Sequence, residues 1–281
     1  MKFTKFIKIL IFILIILQHL WGQDSNRIKE LSAMSIAELM NIKVHVASKS
    51  DESVFDAPSV ISVLSKEEIL RLNPRNVADI LNVIPGFNLH TSNLNSPLFQ
   101  FRGIHSVNDQ ILFLIDGHAI NDRIFGTIVY FINSIPVEEI EQLEIIRGPG
   151  SAIYGANAFY AVINIVTNRH EAESGSVISK VASNNTVQGT VVYHKNMEKN
   201  KGLFFSGSIS QSDGPRMDFK DRSGVTGETN CEEGYKHLYV SLKNGPFEFS
   251  GLYNSQKLGP FAGIAYYLNE RTERTYATMA L

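Results

Sequence analysis

The chain has 281 residues, with 26 lysines and arginines against 28 aspartates and glutamates, and its formal net charge is −2 at pH 7. A nucleic-acid-binding protein is expected to carry a clear basic excess, so the composition predicts no nucleic-acid partner. The one cysteine, Cys231, cannot form an intramolecular disulfide, and the polar stretch around it predicts that it is exposed.

The N-terminus has the pattern of an export signal. Lys2, Lys5 and Lys8 precede the apolar run 9–17, which is too short to cross a bilayer as a helix and suits a signal peptide. We therefore interpret residues 1–22 as a signal peptide, with an uncleaved membrane anchor as the alternative. No later apolar stretch has the length of a transmembrane helix, so a membrane-embedded part would have to be a closed β-barrel.

In the next segment, residues 23–52, one stretch has the alternating pattern of a β-strand. Apolar and polar residues alternate there over Ile42, Lys43, Val44, His45 and Val46. A short strand of this kind can be captured by the edge of a partner's sheet, but a linker or an edge strand explains it equally well.

Residues 53–168 have the pattern of a small mixed α/β domain. Ser65 and Glu68 form a capping box, which predicts a helix to about residue 72 after a β-branched strand. A second apolar-faced helix follows over residues 76–83. The apolar strand 110–115 leads into Asp116-Gly117, a strong hairpin signal.

The second half of this domain is a run of tightly spaced elements. Pro136 suits the first turn of a short helix, and a strand is predicted over residues 142–147. Glycines force a turn at 148–150, and the apolar stretch 161–167 predicts a buried final strand.

From residue 175 onward the pattern changes to strands with a period of two. The connections at 196–201 and 244–245 are short, whereas the charged connection 211–234 is long. Outer-membrane barrels combine short periplasmic turns with longer external loops, so the pattern favours a barrel, with a soluble β-sandwich as the alternative.

The sequence contains no motif of a catalytic, phosphate-binding or metal-binding site. It therefore predicts that the protein is not an enzyme and has no catalytic residue, metal site or cofactor. Arg102 and Arg147 each follow a strand and precede a glycine. They could pair with carboxylates of a surrounding wall, although an ordinary surface arginine is the simpler interpretation.

Several segments resemble the plug domain of TonB-dependent outer-membrane receptors. Ala161 departs from the family pattern, which usually has glycine there. The matching segments are Asp56-Ala57-Pro58-Ser59-Val60, Ile84-Pro85-Gly86, Arg102-Gly103-Ile104, 112–118, 135–141, 145–149, 153–158 and 162–167.

The resemblance implies an α+β plug domain, a small mixed sheet with short helices, followed by antiparallel transmembrane strands of a 22-stranded β-barrel. Residues 53–168 would be the plug, and residues 175–281 the first barrel strands. Because so few strands cannot close a barrel, we expect this chain to be a fragment or a truncated product. The expected location is the cell outer membrane, with the plug on the periplasmic side within the barrel.

The function implied by the resemblance is active uptake of a scarce ligand. The expected partners are TonB with its inner-membrane energising complex, outer-membrane lipid, and a small molecule such as a metal chelate. An iron–siderophore complex is the commonest cargo of the family, with cobalamin and haem as alternatives. A secreted soluble ligand-binding module, or a non-transporting fragment, is the competing hypothesis.

The resemblance also implies roles for individual residues. Ile42, Lys43, Val44, His45 and Val46 match the position of the TonB-coupling segment. Arg102 and Arg147 match plug arginines that barrel carboxylates hold. The apical loops 91–96 and 121–127 would face the ligand, through Asn93, Asn95, Asp122 and Arg123.

Overall fold

The computed structural model describes residues 43–44, 52–53, 60–92, 95–105, 109–123, 126–148, 154–155, 157–167, 173–197, 201–262 and 274–280. Contacts divide the chain into one unit of residues 44–52 and 56–281 and another of residues 1–43 and 53–55. Two short strands, β1 (Lys43–Val44) and β2 (Glu52–Ser53), form a two-stranded sheet. None of the helices in the described ranges has the length and hydropathy needed to cross a membrane.

A mixed five-stranded sheet forms the centre of the α/β domain, here defined as residues 60–167. Its strand order is β3-β9-β10-β7-β8, and β10 pairs parallel to β7 but antiparallel to β9. Both β7 and β10 are apolar and almost entirely buried, as expected of strands covered on both faces. The bounds are β3 (Val60–Ser65), β7 (Ile111–Ile115), β8 (His118–Ala119), β9 (Ile140–Arg147) and β10 (Ala161–Thr167).

Two short helices follow β3, as the sequence predicts. α1 (Lys66–Leu72) begins with the predicted capping box, in which Ser65 accepts from the amide of Glu68 and Glu68 accepts from the amide of Ser65. α2 (Val77–Asn82) begins at Asn76, whose side chain accepts from the amide of Asp79.

A three-stranded antiparallel sheet completes the α/β domain and contributes aromatic side chains to its core. Phe99 packs against Phe113 of the five-stranded sheet with ring centroids 5.7 Å apart. Phe87 and Phe101 pack edge to face at 4.9 Å. The strands are β4 (Phe87–Thr91), β5 (Pro97–Phe101) and β6 (Ile104–His105).

Two turns of this domain form at the positions that the sequence predicts. Asp116 and Gly117, with φ of 50° and 83°, make the predicted hairpin turn between β7 and β8. The helix predicted after Pro136 is a single 3-10 turn, η2 (Val137–Glu139), preceded by another, η1 (Ile132–Ser134).

A six-stranded antiparallel sheet follows, in the order β11-β12-β13-β16-β17-β18. Four of its six strands are 12 residues long. Part of the long connection 211–234 folds into a separate hairpin, β14 (Asp218–Lys220) and β15 (Thr226–Glu228). The strands of the large sheet are β11 (Ser174–Ala182), β12 (Thr186–Met197), β13 (Lys201–Ser212), β16 (Glu233–Asn244), β17 (Phe247–Leu258) and β18 (Arg274–Ala280).

The hairpin connection also corrects the prediction for Cys231. Its side chain is buried, with 5% exposed, because the backbone of the connection folds back over it. A Cβ on Gly214 would lie 2.1 Å from the carbonyl oxygen of Cys231. The polar neighbours in sequence therefore did not reveal that this thiol is enclosed.

Candidate functional site: the interface between the α/β domain and the six-stranded sheet

The six-stranded sheet contacts the α/β domain with its polar face. On β16, Tyr235, His237, Tyr239 and Ser241 are buried, whereas Leu238, on the other face, is exposed. Apolar side chains join the interface where the sheet is closest to the domain core. Val192, Phe204, Tyr239 and Leu252 belong to the same buried apolar cluster as the domain's own core residues.

A buried chain of hydrogen bonds crosses this interface. Nε2 of His237 on β16 lies 2.9 Å from Oε2 of Glu139 on η2. Nδ1 of the same ring lies 2.7 Å from Oδ1 of Asn254 on β17, and Oγ of Ser134 on η1 lies 2.8 Å from that oxygen. These hydrogen bonds therefore connect both 3-10 turns of the α/β domain to two neighbouring strands of the sheet.

A second connection involves the hairpin residue Asp116. Its Oδ1 accepts from the amide of Thr167, and its Oδ2 accepts from the Thr167 hydroxyl, each at 2.8 Å. The hydroxyl of Tyr239 on β16 also donates to Oδ2, at 3.1 Å. One carboxylate thus joins the β7–β8 turn, the end of β10 and the large sheet.

Two further contacts extend the interface to its ends. Glu138, beside Glu139, forms an ion pair with Lys180 of β11. Nδ2 of Asn133 donates to the Tyr235 hydroxyl at 3.4 Å. Charged and polar side chains of the α/β domain therefore meet strands on both sides of β13.

Several buried polar atoms of this interface have no hydrogen-bond partner among the described residues. Such atoms are costly to bury, and a polar interface of this kind is weaker than an apolar core of the same area. They are Oε1 of Glu139, Oδ1 of Asn133, Oγ of Ser206, Nδ2 of Asn254 and Nε2 of Gln256.

Comparison with known proteins identifies this architecture. A family model described as the TonB-dependent receptor plug domain matches residues 53–162. The chain belongs to the TonB-dependent receptors. The family and the fold class that the sequence predicted, an α+β plug followed by antiparallel strands, are confirmed. The α/β domain is called the plug from here on.

The relatives are transporters and receptors, which confirms that the protein is not an enzyme. The vitamin B12 transporter BtuB of Vibrio vulnificus is 31% identical over 214 residues, covering 74% of this chain and 33% of that protein. The iron-regulated outer membrane virulence protein of Vibrio cholerae is 30% identical over 187 residues, covering 64% and 27%.

A solved structure gives the same family. The siderophore receptor PirA from Acinetobacter baumannii matches with a TM-score of 0.53 at 25% identity, over 72% of this chain and 32% of that chain. The chain therefore spans about a third of the length of these relatives.

The structure places Arg102 and Arg147 at the plug surface, away from any carboxylate among the described residues. Arg102 is exposed, has a φ of 49°, and lies with its guanidinium 5.1 Å from the ring centroid of Phe101. Arg147 directs Nη1 toward the carbonyl oxygen of Pro85 at 3.5 Å, while its Nε is buried without a partner in the described ranges. Their predicted pairing with barrel carboxylates stays a prediction.

The predicted ligand-facing residues differ in their surroundings. Asn95 is only 6% exposed, and its Nδ2 donates to the carbonyl oxygen of Glu232 in the long connection of the sheet at 3.5 Å. Oδ2 of Asp122 accepts from the amide of Thr127 within its own loop at 3.3 Å. Arg123 is exposed, and Asn93 lies outside the described residues.

The predicted coupling segment is described only in part. Lys43 and Val44 form strand β1, whereas Ile42, His45 and Val46 lie outside the described residues, as does the predicted signal peptide.

Sequence reasoning missed the residues that join the plug to the sheet. Glu139 belongs to no catalytic or metal-binding motif of the sequence, and His237 is one of its eight histidines. Strand alternation put His237 and Tyr239 on one face, which was the available signal. Their partners are about 100 residues away in sequence, so no local pattern connects them.

Proposed function

We propose that the protein acts in the cell outer membrane as a TonB-dependent receptor that actively imports a small, scarce ligand. The observation that carries this proposal is the reversed polarity of the six-stranded sheet, which presents its polar face to the plug and its apolar face outward. A soluble sheet packed on a domain would bury its apolar face instead.

The outward face fits contact with lipid. Apolar side chains occur at alternate positions along most strands of the large sheet, as on the lipid-facing side of an outer-membrane barrel. The exposed ones are Val177, Val181, Val187, Val191, Met197, Ile209, Leu238, Leu242, Phe247, Phe249 and Tyr253. The proposed orientation puts the plug on the periplasmic side of the membrane, within the barrel.

The proposed energy source is TonB, which would capture the segment Ile42–Val46 by adding it to the edge of its own sheet. The extended backbone of Lys43–Val44, the part of this segment that is described, supports this role, because strand addition needs an extended segment. The captured strand would then transmit force to the plug.

The proposed ligand is an iron–siderophore complex, because the similar protein PirA is a siderophore receptor. Cobalamin is the second candidate, because the relative BtuB is a vitamin B12 transporter. Haem is a third possibility within the proposal. The loops that hold Asn93, Asn95, Asp122 and Arg123 would face this ligand, with Asn95 acting through the backbone of the long connection that it contacts.

Arg102 and Arg147 are proposed to anchor the plug to carboxylates elsewhere in the receptor. The buried Nε of Arg147, without a partner among the described residues, supports this role, because a buried guanidinium nitrogen is expected to donate.

The test uses the receptor in a strain lacking other uptake systems, with radiolabelled ferric enterobactin and cyanocobalamin as separate probes. We expect energy-dependent uptake of one probe, and we expect Val44→Pro to abolish uptake while binding to intact cells is retained, because proline removes an amide needed for strand pairing. Lys43→Ala, which keeps the backbone amides, is the control.

The location is tested in parallel by fractionation. The proposal expects the protein in outer membranes, with gel migration that changes on heating. Recovery as a soluble periplasmic or secreted protein would instead support the ligand-binding module, and uptake unaffected by Val44→Pro would remove Ile42–Val46 from the mechanism.

A further inference from the structure

The pair formed by Glu139 and His237 is completely enclosed between the plug and the large sheet. Both side chains are 0% exposed, and the two atoms in contact are 2.9 Å apart. Acidic and basic groups buried in this way are costly unless each charge is compensated by its partner. The protonation of this pair therefore affects how strongly the plug binds the sheet.

His237 has an oxygen within hydrogen-bond distance of each ring nitrogen. With Asn254 in its present orientation, Nδ1 and Nε2 both face acceptors, at 2.7 and 2.9 Å, so both donate and the ring is a charged imidazolium. Rotating the Asn254 amide by a half-turn brings Nδ2 toward Nδ1. The ring is then neutral and still donates from Nε2 to Glu139.

The Ser134 hydroxyl can form hydrogen bonds in either arrangement of the Asn254 amide. Its hydroxyl has one proton and lies 2.6 Å from the carbonyl oxygen of Phe131 and 2.8 Å from the Asn254 amide. It donates to Asn254 when Oδ1 faces it. When the amide is rotated, it donates to Phe131 and accepts from Asn254. The hydrogen bonds of the His237 ring and of the Ser134 hydroxyl are therefore satisfied in both cases, and what differs is the net charge of the buried pair.

The net charge of the Glu139–His237 pair determines which arrangement binds the plug more strongly to the sheet. An imidazolium beside a carboxylate has no net charge. Removing the shared proton leaves the Glu139 carboxylate buried without compensation, which weakens the contact between η2 and β16.

The other groups near His237 have partners of their own or do not titrate at ordinary pH. The residues next to it in register, Ser208 on β13 and Asn254 on β17, do not titrate at ordinary pH. On β16 itself, Tyr235 contacts Asn133 and Tyr239 contacts Asp116. From the plug, Glu138 faces Lys180. Farther along β16 lies Glu233, near Arg75 of the plug.

We propose that Glu139 and His237 are positioning residues that hold the two 3-10 turns of the plug against β16 and β17, and that they do so while the pair keeps its shared proton. This inference deepens the proposed function, on which it rests, because uptake requires the plug to be retained at rest and released under force. It adds a proton-dependent step to that retention.

The test measures hydrogen exchange by mass spectrometry on the whole receptor in outer membranes, in a peptide covering residues 131–140. Protection factors, taken relative to the intrinsic rate at each pH, are followed between about pH 5 and pH 9. We expect native protection to fall as the pH rises and the pair loses its shared proton. Glu139→Gln should lower protection at the acidic end of this range about a hundredfold and abolish the fall, because the protonated histidine then lacks its counter-charge.

Glu141→Gln is the matched control. It is the same substitution two residues away, but Glu141 pairs with Lys66 inside the plug at 3.4 Å, so the profile should keep its native shape. The double variant Glu139→Gln/His237→Gln removes both charges and should recover most of the protection. Should the double variant fail to assemble, the Glu139→Gln and Glu141→Gln profiles decide.

A native profile that is flat with pH would overturn the proposal, as would equal profiles for Glu139→Gln and Glu141→Gln. A loss in Glu139→Gln that the double variant does not reverse would also overturn it, because the carboxylate would then be needed only for packing. The readout requires neither ligand nor TonB, so a negative result leaves the uptake proposal standing, and failed uptake leaves this one standing.

Discussion

The two large sheets of this protein bury opposite kinds of side chain. In the plug, β7 and β10 are apolar at nearly every position and buried on both faces. In the six-stranded sheet, β16 buries Tyr235, His237 and Ser241 but exposes Leu238. Burial in this molecule therefore follows what each face contacts and not the hydropathy of the residue alone.

This difference has an energetic consequence. The plug gains its stability from close-packed apolar side chains, which separate only when the domain unfolds. The contact between plug and sheet combines a few apolar side chains with hydrogen bonds and one enclosed ion pair, and several polar atoms are unpartnered in the described ranges. The proposed uptake requires such a contact to break without either side unfolding.

The largest expected effect is in the plug core. Phe113→Ala removes a fully buried ring that packs against Phe99, and we expect it to lower the free energy of plug unfolding by about 3–5 kcal/mol. Phe247→Ala, at a ring that is 79% exposed at the start of β17, is the control. Hydrogen exchange of the β7 amides in urea measures both. Equal losses would contradict the contrast between the sheets.

An arginine introduced on the outward face of the large sheet tests whether that face contacts lipid. Leu238 lies near the middle of β16 on the exposed face, and Leu238→Arg should cost about 2–4 kcal/mol in a bilayer if that face contacts lipid. Val181→Arg, close to the end of β11, should cost less. The folded fraction in guanidinium, measured by heat-modifiable gel migration in vesicles, compares them. A negligible cost for Leu238→Arg would argue for a water-facing surface.

The link between the two regions at Asp116 should give an intermediate effect. Asp116→Asn weakens three hydrogen bonds to a charged acceptor, and we expect a loss of about 1.5–3 kcal/mol, seen as faster exchange at the amide of Thr167. Asp122→Asn, which changes a longer bond within one loop, is the control. If Thr167 exchange is unchanged, the carboxylate does not join these elements.

The smallest effect is expected in the connection between β13 and β16. Burial raises the pKa of the Cys231 thiol, so its reaction with maleimide at neutral pH should be slow. Gly214→Ala forces this backbone apart, which should lower that pKa toward its ordinary value and raise the labelling rate several-fold. Gly224→Ala changes another glycine of positive φ where the nearest atom is 3.8 Å away, and it should leave the rate unchanged.

Much of the fold could be predicted because its signals are local. The capping box at Ser65 and the hairpin at Asp116-Gly117 each involve residues within three positions of one another, and both formed as predicted. The alternation in β16 likewise separated Leu238 from Tyr239 correctly. The order of the plug motifs then identified the family.

The interface could not be predicted because its contacts are distant in sequence. The amide of Asn95 contacts Glu232 across 137 positions, and no local pattern indicates this contact. Cys231 was expected to be exposed, yet the chain encloses it. This error arose because the polarity of neighbouring residues was taken as a measure of exposure.

By itself, the sequence determined the elements, their alternating faces and the family, since each depends on short-range spacing or on the order of motifs. Only the tertiary structure decided which face of the large sheet meets the plug and which side chains pair there. The physical reason is that Glu139 and His237 become partners only when η2 and β16, about 100 residues apart in sequence, come together. The cost of burying their charges arises only then.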